Sequence, residues 1–200
     1  MASSPSVLYA VAAFLLLGVE RTLYSYVFHF PQDFIRKSKA GTFGSAVQNE
    51  TEYWKGFMFL GMRVKVFQFS VIVYDLLVRN TIQVHAITTR CIVGAALFVA
   101  GQVLNASAFK ALGCIGVYYG YELGYKVPRV TMFPYNLGIP DPQYWGVIAT
   151  IFGLYLMLHV PSFFIPNVEL FWYVTSMLIL EHPKNGRSLL NSLLGRRKVK

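Results

Sequence analysis

The stretch CIVGAALFVAGQVLNASAF, residues 91–109, decides the class of fold. It contains no charged side chain and has the length of roughly 20 residues that a helix needs to cross a bilayer. Gln102 and Asn105 interrupt it, and a polar group inside a span is costly unless it finds a partner. They either bond to a neighbouring helix or belong to a site.

Three further apolar regions flank this stretch: Val7 to Phe28, Phe57 to Val78, and Trp145 to Leu180. The last is interrupted by HVPSFFIP at residues 159–166, where two prolines each remove a backbone donor and disfavour a continuous helix. We therefore predict an all-α integral membrane protein with about four to five transmembrane helices. The last region is predicted to be a helical hairpin, with a single long kinked helix as the alternative.

The composition supports a membrane environment. Hydrophobic residues make up 55% of the chain and charged residues 14%, with a mean hydropathy of +0.47. Soluble domains carry about 25% charged residues, because their surface faces water. Aromatic residues reach 16%, which fits a protein whose Tyr and Trp side chains collect where lipid meets water.

The formal net charge of +9 resides in the loops and the tail. No basic stripe on a soluble domain is visible, which argues against nucleic acid as a partner, and an anionic membrane surface is the better match. The positive-inside rule places the loop after the first span, the loop after the third and the tail in the cytosol. Cys91 and Cys114 form neither a disulfide framework nor a zinc motif, and no metal is predicted.

Two clusters between the third and last apolar regions allow a structural and a functional interpretation. Glycines recur every three or four residues, which suits close helix packing or a ligand laid against bare backbone: Gly113, Gly116, Gly120 and Gly124. Four tyrosines surround Glu122, which suits an interfacial belt or a cage for a cation: Tyr118, Tyr119, Tyr121 and Tyr125.

Charged residues also occur at the ends of the apolar regions. Glu181 follows the last apolar run and precedes His182. It is either an interfacial acid or a group that accepts a proton from a reacting amine. Glu20 and Arg21 lie toward the far end of the first span, where we expect long side chains to reach the interface.

The runs RVTMFPYN (129–136) and DPQYWG (141–146), preceded by GCIGVYYG (113–120), resemble the phospholipid N-methyltransferase family. Members of this family make phosphatidylcholine from phosphatidylethanolamine. The resemblance covers about residues 101–183. At Val99-Ala-Gly101 the chain keeps only the second glycine of the Gly-x-Gly of animal members, and it has Glu181-His182 in place of their Glu-Glu pair.

The resemblance implies S-adenosylmethionine (SAM) as methyl donor and a phospholipid in the bilayer as substrate. It implies SAM-binding residues Gly101, Gly113, Gly116, Pro142, Tyr144, Gly146 and Glu181, with Glu181 and His182 as catalytic residues. Arg129, Tyr118, Tyr119 and Asn105 are the expected substrate-binding residues, with Arg129 directed at the lipid phosphate.

The resulting prediction is SAM-dependent methylation of phosphatidyl-N-methylethanolamine to the dimethyl lipid and phosphatidylcholine, with the first methylation left open. The alternatives are an isoprenylcysteine carboxyl methyltransferase-like enzyme and a non-catalytic lipid-binding scaffold. We expect a single domain over 1–200, with two spans and loops (1–90), the binding core (91–183) and a basic tail (184–200). The tail and the family indicate the endoplasmic reticulum membrane, with a mitochondrial membrane as the alternative, and oligomeric state is not predicted.

Overall fold

The computed structural model describes residues 6–80, 88–127, 129–182, 186–187 and 189–190. Within these ranges the chain is helical and no strand occurs. The elements are α1 (Val7–His29), α2 (Pro31–Lys39), α3 (Ser45–Gln48), α4 (Tyr53–Tyr74), α5 (Thr89–Val117), α6 (Pro142–Met157) and α7 (Phe164–Thr175). π-helical turns extend α4 over Asp75–Arg79 and α7 over Ser176–Leu180, and Tyr135–Leu137 forms a 3₁₀ turn.

In the described part of the chain, three helical segments are long and apolar enough to cross a membrane: Val7–His29, Tyr53–Arg79 and Thr89–Val117. Phe164–Leu180 is a shorter apolar helix. The predicted class, an all-α integral membrane protein, is thereby confirmed. Ser6 caps α1 by accepting the Tyr9 N–H at 3.3 Å, and Pro31 begins α2 at its first position, where the missing donor has no cost.

The last apolar region is a hairpin. α6 ends at Met157, and α7 begins at Phe164 after the break that the prolines predicted. The Tyr144 hydroxyl, in the first turn of α6, donates to Glu181 at the end of α7 across 2.8 Å. The chain therefore returns to the side from which α6 starts.

α5 and α6 meet backbone to backbone through two pairs of glycines. A Cβ added to Gly101 would lie 2.5 Å from the carbonyl oxygen of Gly146, and one added to Gly153 would lie 2.6 Å from that of Gly94. The glycines are two turns apart on each helix, which is how small residues let membrane helices approach closely. Gln102 donates to Thr150 Oγ1 at 3.0 Å across the same contact, so it serves interhelical bonding.

A buried carboxylate connects three helices at the end of the molecule where α1 begins. Asp75 accepts hydrogen bonds at 2.9 Å from the hydroxyls of both Tyr9 and Tyr155, and at 3.1 Å from the Asn80 side chain. Arg79 Nη1 lies 3.7 Å from Asp75 Oδ1. A charge is tolerated in a core when its oxygens are satisfied in this way, and the cluster fixes α1, α4 and α6 to one another.

The end of α5 departs from the regular helix that the glycine spacing suggested. Gly113 has φ 65° and ψ 169°, which breaks the helix one turn before its end. A glycine adopts such a conformation without steric cost. Residues 118–124 then form turns, so the four glycines do not line one helical face, and the kink carries Gly116 and Tyr119 toward α1.

Candidate active site

A cleft of about 600 Å³, counting its open mouth, lies beyond the α5–α6 contact. Its walls come from α1, α4, the end of α5, the loop before α6, the first turns of α6, and the end of α7. The lining residues are Glu20, Arg21, Tyr24, Lys65, Leu112, Gly116, Val117, Tyr119, Tyr135, Asp141, Gln143, Tyr144, Val147, Tyr173 and Glu181. This set combines three carboxylates, two cations and five tyrosines.

Glu181 lies at the end of a chain of hydroxyl groups. Its Oε1 accepts from the Tyr144 hydroxyl at 2.8 Å and from Ser176 Oγ at 2.7 Å, and the Tyr119 hydroxyl lies 3.4 Å from that of Tyr144. The π-helical turn ends with the Glu181 N–H bonded to the Ser176 carbonyl at 2.9 Å. Both side-chain bonds end on Oε1, and no hydrogen bond joins Oε2 to the part of the chain that the structure describes, so Oε2 is available to a ligand there.

Asp141 occupies the mouth of the cleft in an unusual conformation. It has φ 45° and ψ 58°, in the left-handed region, and its side chain makes no hydrogen bond that caps α6. Asp tolerates this region better than most residues, and Pro142 directly after it starts the helix. Although the residue as a whole is exposed, partial desolvation of its carboxyl in the cleft raises the pKa of Asp141, and the negative charge of Glu181 adds to the effect.

α1 brings a buried ion cluster to the opposite wall. Glu20 is fully buried and Arg21 is 2% exposed. Glu20 Oε1 lies 2.9 Å from Arg21 Nη2 and 2.6 Å from Lys65 Nζ. These contacts are ion pairs rather than well-aligned hydrogen bonds. The expectation that Glu20 and Arg21 reach the membrane interface is wrong, because both face the interior of the helix bundle.

Three tyrosine rings surround the Arg21 guanidinium. Its central carbon lies 4.8 Å from the ring of Tyr24, 4.7 Å from that of Tyr144 and 4.4 Å from that of Tyr173. Such distances are typical of cation–π contacts. The aromatic cage of this cleft thus holds a cation of the protein itself, and it is built from other tyrosines than the four that surround Glu122.

Four residues predicted from the sequence come together in the cleft: Gly116, Tyr119, Tyr144 and Glu181. A Cβ on Gly116 would lie 2.9 Å from Leu112 Cβ, so this glycine keeps the kinked end of α5 close to the rest of the helix. Tyr119 has φ 54°, which is rare for a residue with a side chain and follows from the turn after α5.

The other predicted residues lie elsewhere. Gly101 and Gly146 form the α5–α6 contact, with Asn105 beside them, and Gly113 is the kink. Pro142 is buried at the start of α6. Tyr118 packs in a hydrophobic cluster with Phe57, Val27 and Phe34. Arg129 and His182 are exposed and are not among the residues that line the cleft.

Asn105 nevertheless has a buried side-chain oxygen, Oδ1, that receives no hydrogen bond from the residues that the structure describes. An orphaned acceptor inside a protein costs free energy. The site predictions for Asn105 and for the residues outside the cleft stay predictions. The basic tail beyond residue 190 and the segment 183–185 lie outside the described residues.

Sequence reasoning missed the cleft residues on α1, α4 and α7, notably Arg21, Lys65 and Tyr173. One signal was present: adjacent Glu20 and Arg21 are ionisable residues within a span, and such residues usually face the bundle interior. Asp141 was named only as part of the DPQYWG run. Its position between a loop and a helix that begins with proline was a further indication that Asp141 belongs to the site.

The family profile described as phospholipid methyltransferase matches residues 89–185. The human phosphatidylethanolamine N-methyltransferase is 36% identical over 45% of this chain and 45% of its own length. The Arabidopsis thaliana phosphatidyl-N-methylethanolamine N-methyltransferase is 45% identical over 26% of this chain and 30% of its own length. The Saccharomyces cerevisiae enzyme of the same name is 33% identical over 45% and 44%.

The chain thus spans less than half the length of these curated relatives, and no solved structure matches it. The matched segment runs from the start of α5 past the end of α7 and supplies the wall of the cleft that holds Tyr119, Asp141, Tyr144 and Glu181. The family resemblance inferred from the sequence motifs is confirmed. Residues 89–185 carry the sequence of the phospholipid methyltransferase family.

Proposed function

We propose that the protein is a SAM-dependent phospholipid N-methyltransferase that converts phosphatidyl-N-methylethanolamine to the dimethyl lipid and then to phosphatidylcholine. The observation that carries the proposal is the bonded pair Tyr144–Glu181, which lies in a charged cleft inside the family-matched segment. Two of the three relatives described above are named for the monomethyl lipid, which supports the later methylation steps.

The residues of the cleft fit the groups of SAM, which carries an ammonium, a carboxylate and a sulfonium. Glu181 Oε2 and the Tyr144 and Tyr119 rings suit the cationic groups, because carboxylates and aromatic faces attract cations. Arg21 and Lys65 suit an anionic group. When bound, SAM supplies a methyl group that an amine can attack. Gly116 and the kink at Gly113 keep the end of α5 against this part of the cleft.

The headgroup amine is protonated at neutral pH and must lose its proton before it can react. Asp141 and Glu181 are the carboxylates of the matched segment that line the cleft, and either can accept this proton. The raised pKa of Asp141 brings it closer to the operating range of a general base. Enclosing the amine among protein groups positions it for in-line displacement, which needs orientation more than covalent catalysis.

The experiment supplies membranes from a methylation-deficient host with methyl-labelled SAM and, separately, with unmethylated, monomethyl and dimethyl phosphatidylethanolamine. We expect label in the products of the monomethyl and dimethyl lipids. The Glu181→Gln variant should lose most of this activity, whereas Glu50→Gln, the same change at a residue that does not line the cleft, should not.

Label in none of the three lipids from folded wild-type protein would reject the enzyme and favour the lipid-binding scaffold. Label on the carboxylate of a prenylated cysteine peptide, included as a fourth substrate, would favour the alternative methyltransferase.

The proposal extends to location and organisation. We place the protein in the endoplasmic reticulum membrane and treat the chain as one domain. The contribution of Arg21 and Lys65 to the same cleft as Glu181 supports the single domain. Microscopy of a tagged chain tests the location against a mitochondrial one.

A further inference from the structure

The Arg21 guanidinium has two nitrogens without a hydrogen-bond acceptor. Nη2 pairs with Glu20, while Nε and Nη1 are buried and bond to nothing in the described part of the chain. The residue lines the cleft and is 2% exposed. Proteins rarely leave buried donors unpaired, and each such group calls for an explanation. A ligand oxygen in the cleft would supply the missing acceptors.

The surrounding rings hold the guanidinium in place. Tyr24 lies on α1 with Arg21, whereas Tyr144 and Tyr173 lie on α6 and α7. A planar guanidinium offers its donors as a fork that matches the oxygens of a phosphate or a carboxylate. Because the fork is held before any ligand arrives, little ordering entropy is lost on binding.

Lys65 is a second cation near Arg21. Lys65 on α4 and Arg21 both pair with the carboxylate of Glu20, so among the described residues neither cation has a carboxylate that it does not share. Glu169 on α7 is also buried, but it does not line the cleft, and no ion pair joins it to either cation among the described residues. The Lys65 side chain is 45% exposed, so it lies partly in this wall of the cleft and partly at the protein surface.

We propose that Arg21, assisted by Lys65, forms an oxyanion-binding subsite of the cleft. The proposal rests on the proposed function for its two candidate ligands, the phosphate of the phospholipid and the carboxylate of SAM. Both residues precede the segment that matches the family profile, so the subsite is supplied by the first half of the chain. If its ligand is the lipid phosphate, the subsite competes with the predicted role of exposed Arg129.

The test measures equilibrium binding to detergent-solubilised full-length protein, without turnover. The probes are short-chain phosphatidyl-N-methylethanolamine, S-adenosylhomocysteine, and 5′-methylthioadenosine, which lacks the carboxylate. The variants are Arg21→Lys, which keeps the charge but loses the fork, and Glu20→Gln/Arg21→Gln, which removes both buried charges together. Arg63→Lys, an exposed arginine on the same helix as Lys65, is the matched control.

We expect Arg21→Lys to weaken binding of one oxyanion ligand by roughly 10- to 100-fold, the usual effect of losing charge-assisted hydrogen bonds. Weaker binding of the phospholipid assigns the subsite to the phosphate. Weaker binding of S-adenosylhomocysteine, with 5′-methylthioadenosine unchanged, assigns it to the carboxylate. Unchanged affinity for both oxyanion ligands in either Arg21 variant, with unfolding temperatures near that of Arg63→Lys, overturns the proposal.

Methyl transfer by the same preparations separates the two proposals. If the wild type transfers methyl groups and the Arg21 variants bind both ligands as the wild type does, the subsite proposal is rejected and the proposed enzymatic function stands. If the wild type is inactive and Arg21→Lys binds a ligand more weakly, the enzymatic function is rejected and the subsite proposal stands.

Discussion

The Tyr144 hydroxyl lies 2.8 Å from Glu181 Oε1, and this hydrogen bond joins the first turn of α6 to the end of α7. The two residues are far apart in sequence, and the break between α6 and α7 is what allows them to meet. Together with the bond from Ser176 Oγ at 2.7 Å, the Tyr144 bond fixes the carboxylate at the end of an apolar helix. It gives Glu181 a defined orientation in the cleft.

We predict that Tyr144→Phe lowers kcat/KM for the monomethyl lipid by about 10-fold or more, because a hydrogen bond to a charged group contributes about 1.5–3 kcal/mol. The ring and its contact with Tyr173, at 5.1 Å between centroids, remain, so the loss of stability should not exceed that of the one hydrogen bond. Steady-state kinetics in mixed micelles measures the effect. Tyr121→Phe, at an exposed tyrosine, is the control, and equal rates for both variants would contradict the role of the bond.

The pH dependence of activity should follow the protonation of the Asp141 carboxylate. If Asp141 accepts the amine proton, it works only as a carboxylate, so the rate falls as pH drops through its pKa. Since partial desolvation raises that pKa, this acid limb should lie above the ordinary carboxyl value of about 4. A kcat/KM profile of wild type and Asp141→Asn tests this. An unchanged acid limb in an active Asp141→Asn variant would assign the proton to another group.

Gly101→Ala should destabilise the fold rather than change the chemistry. Its Cβ would lie 2.5 Å from the Gly146 carbonyl oxygen, and such overpacking costs about 1–3 kcal/mol. Thermal unfolding in detergent measures this, with Ala100→Val at an exposed position of α5 as control. Unchanged unfolding together with weaker S-adenosylhomocysteine binding would instead support the predicted contact of Gly101 with the methyl donor.

Asp75→Ala should lower the free energy of unfolding by about 3 kcal/mol, because it leaves buried hydrogen-bonding partners without their acceptor. The hydroxyls of Tyr9 and Tyr155 would lose their bonds. Tyr9 lies about 18 Å from Arg21 along α1, at about 1.5 Å per residue, so the methyl-transfer rate per folded molecule should not change. A fall in that rate without a fall in stability would show that the Asp75 cluster takes part in the reaction.

The sequence was sufficient for the class of fold and the hairpin, because span length and the two prolines near residue 160 act locally. Glu181 and Tyr144 were found through the family motifs. Arg21 was missed as a site residue although its charge within a span indicated an interior position, and Lys65 was missed because the apolar residues on all sides of α4 do not specify which face it turns to the bundle. Gly113 forms the kink, a choice of φ that the glycine spacing does not specify, and its contact with the methyl donor stays a prediction.

The contacts of Arg21 with rings from α6 and α7 link two halves of the protein that the family match separates. A chain whose first helix has not docked lacks a complete wall around Glu181, and Arg21 lacks the rings of Tyr144 and Tyr173 around it. Docking of the first helix and completion of the cleft are therefore one event. A partly assembled chain lacks the enclosed cleft in which the proposed methyl transfer would take place.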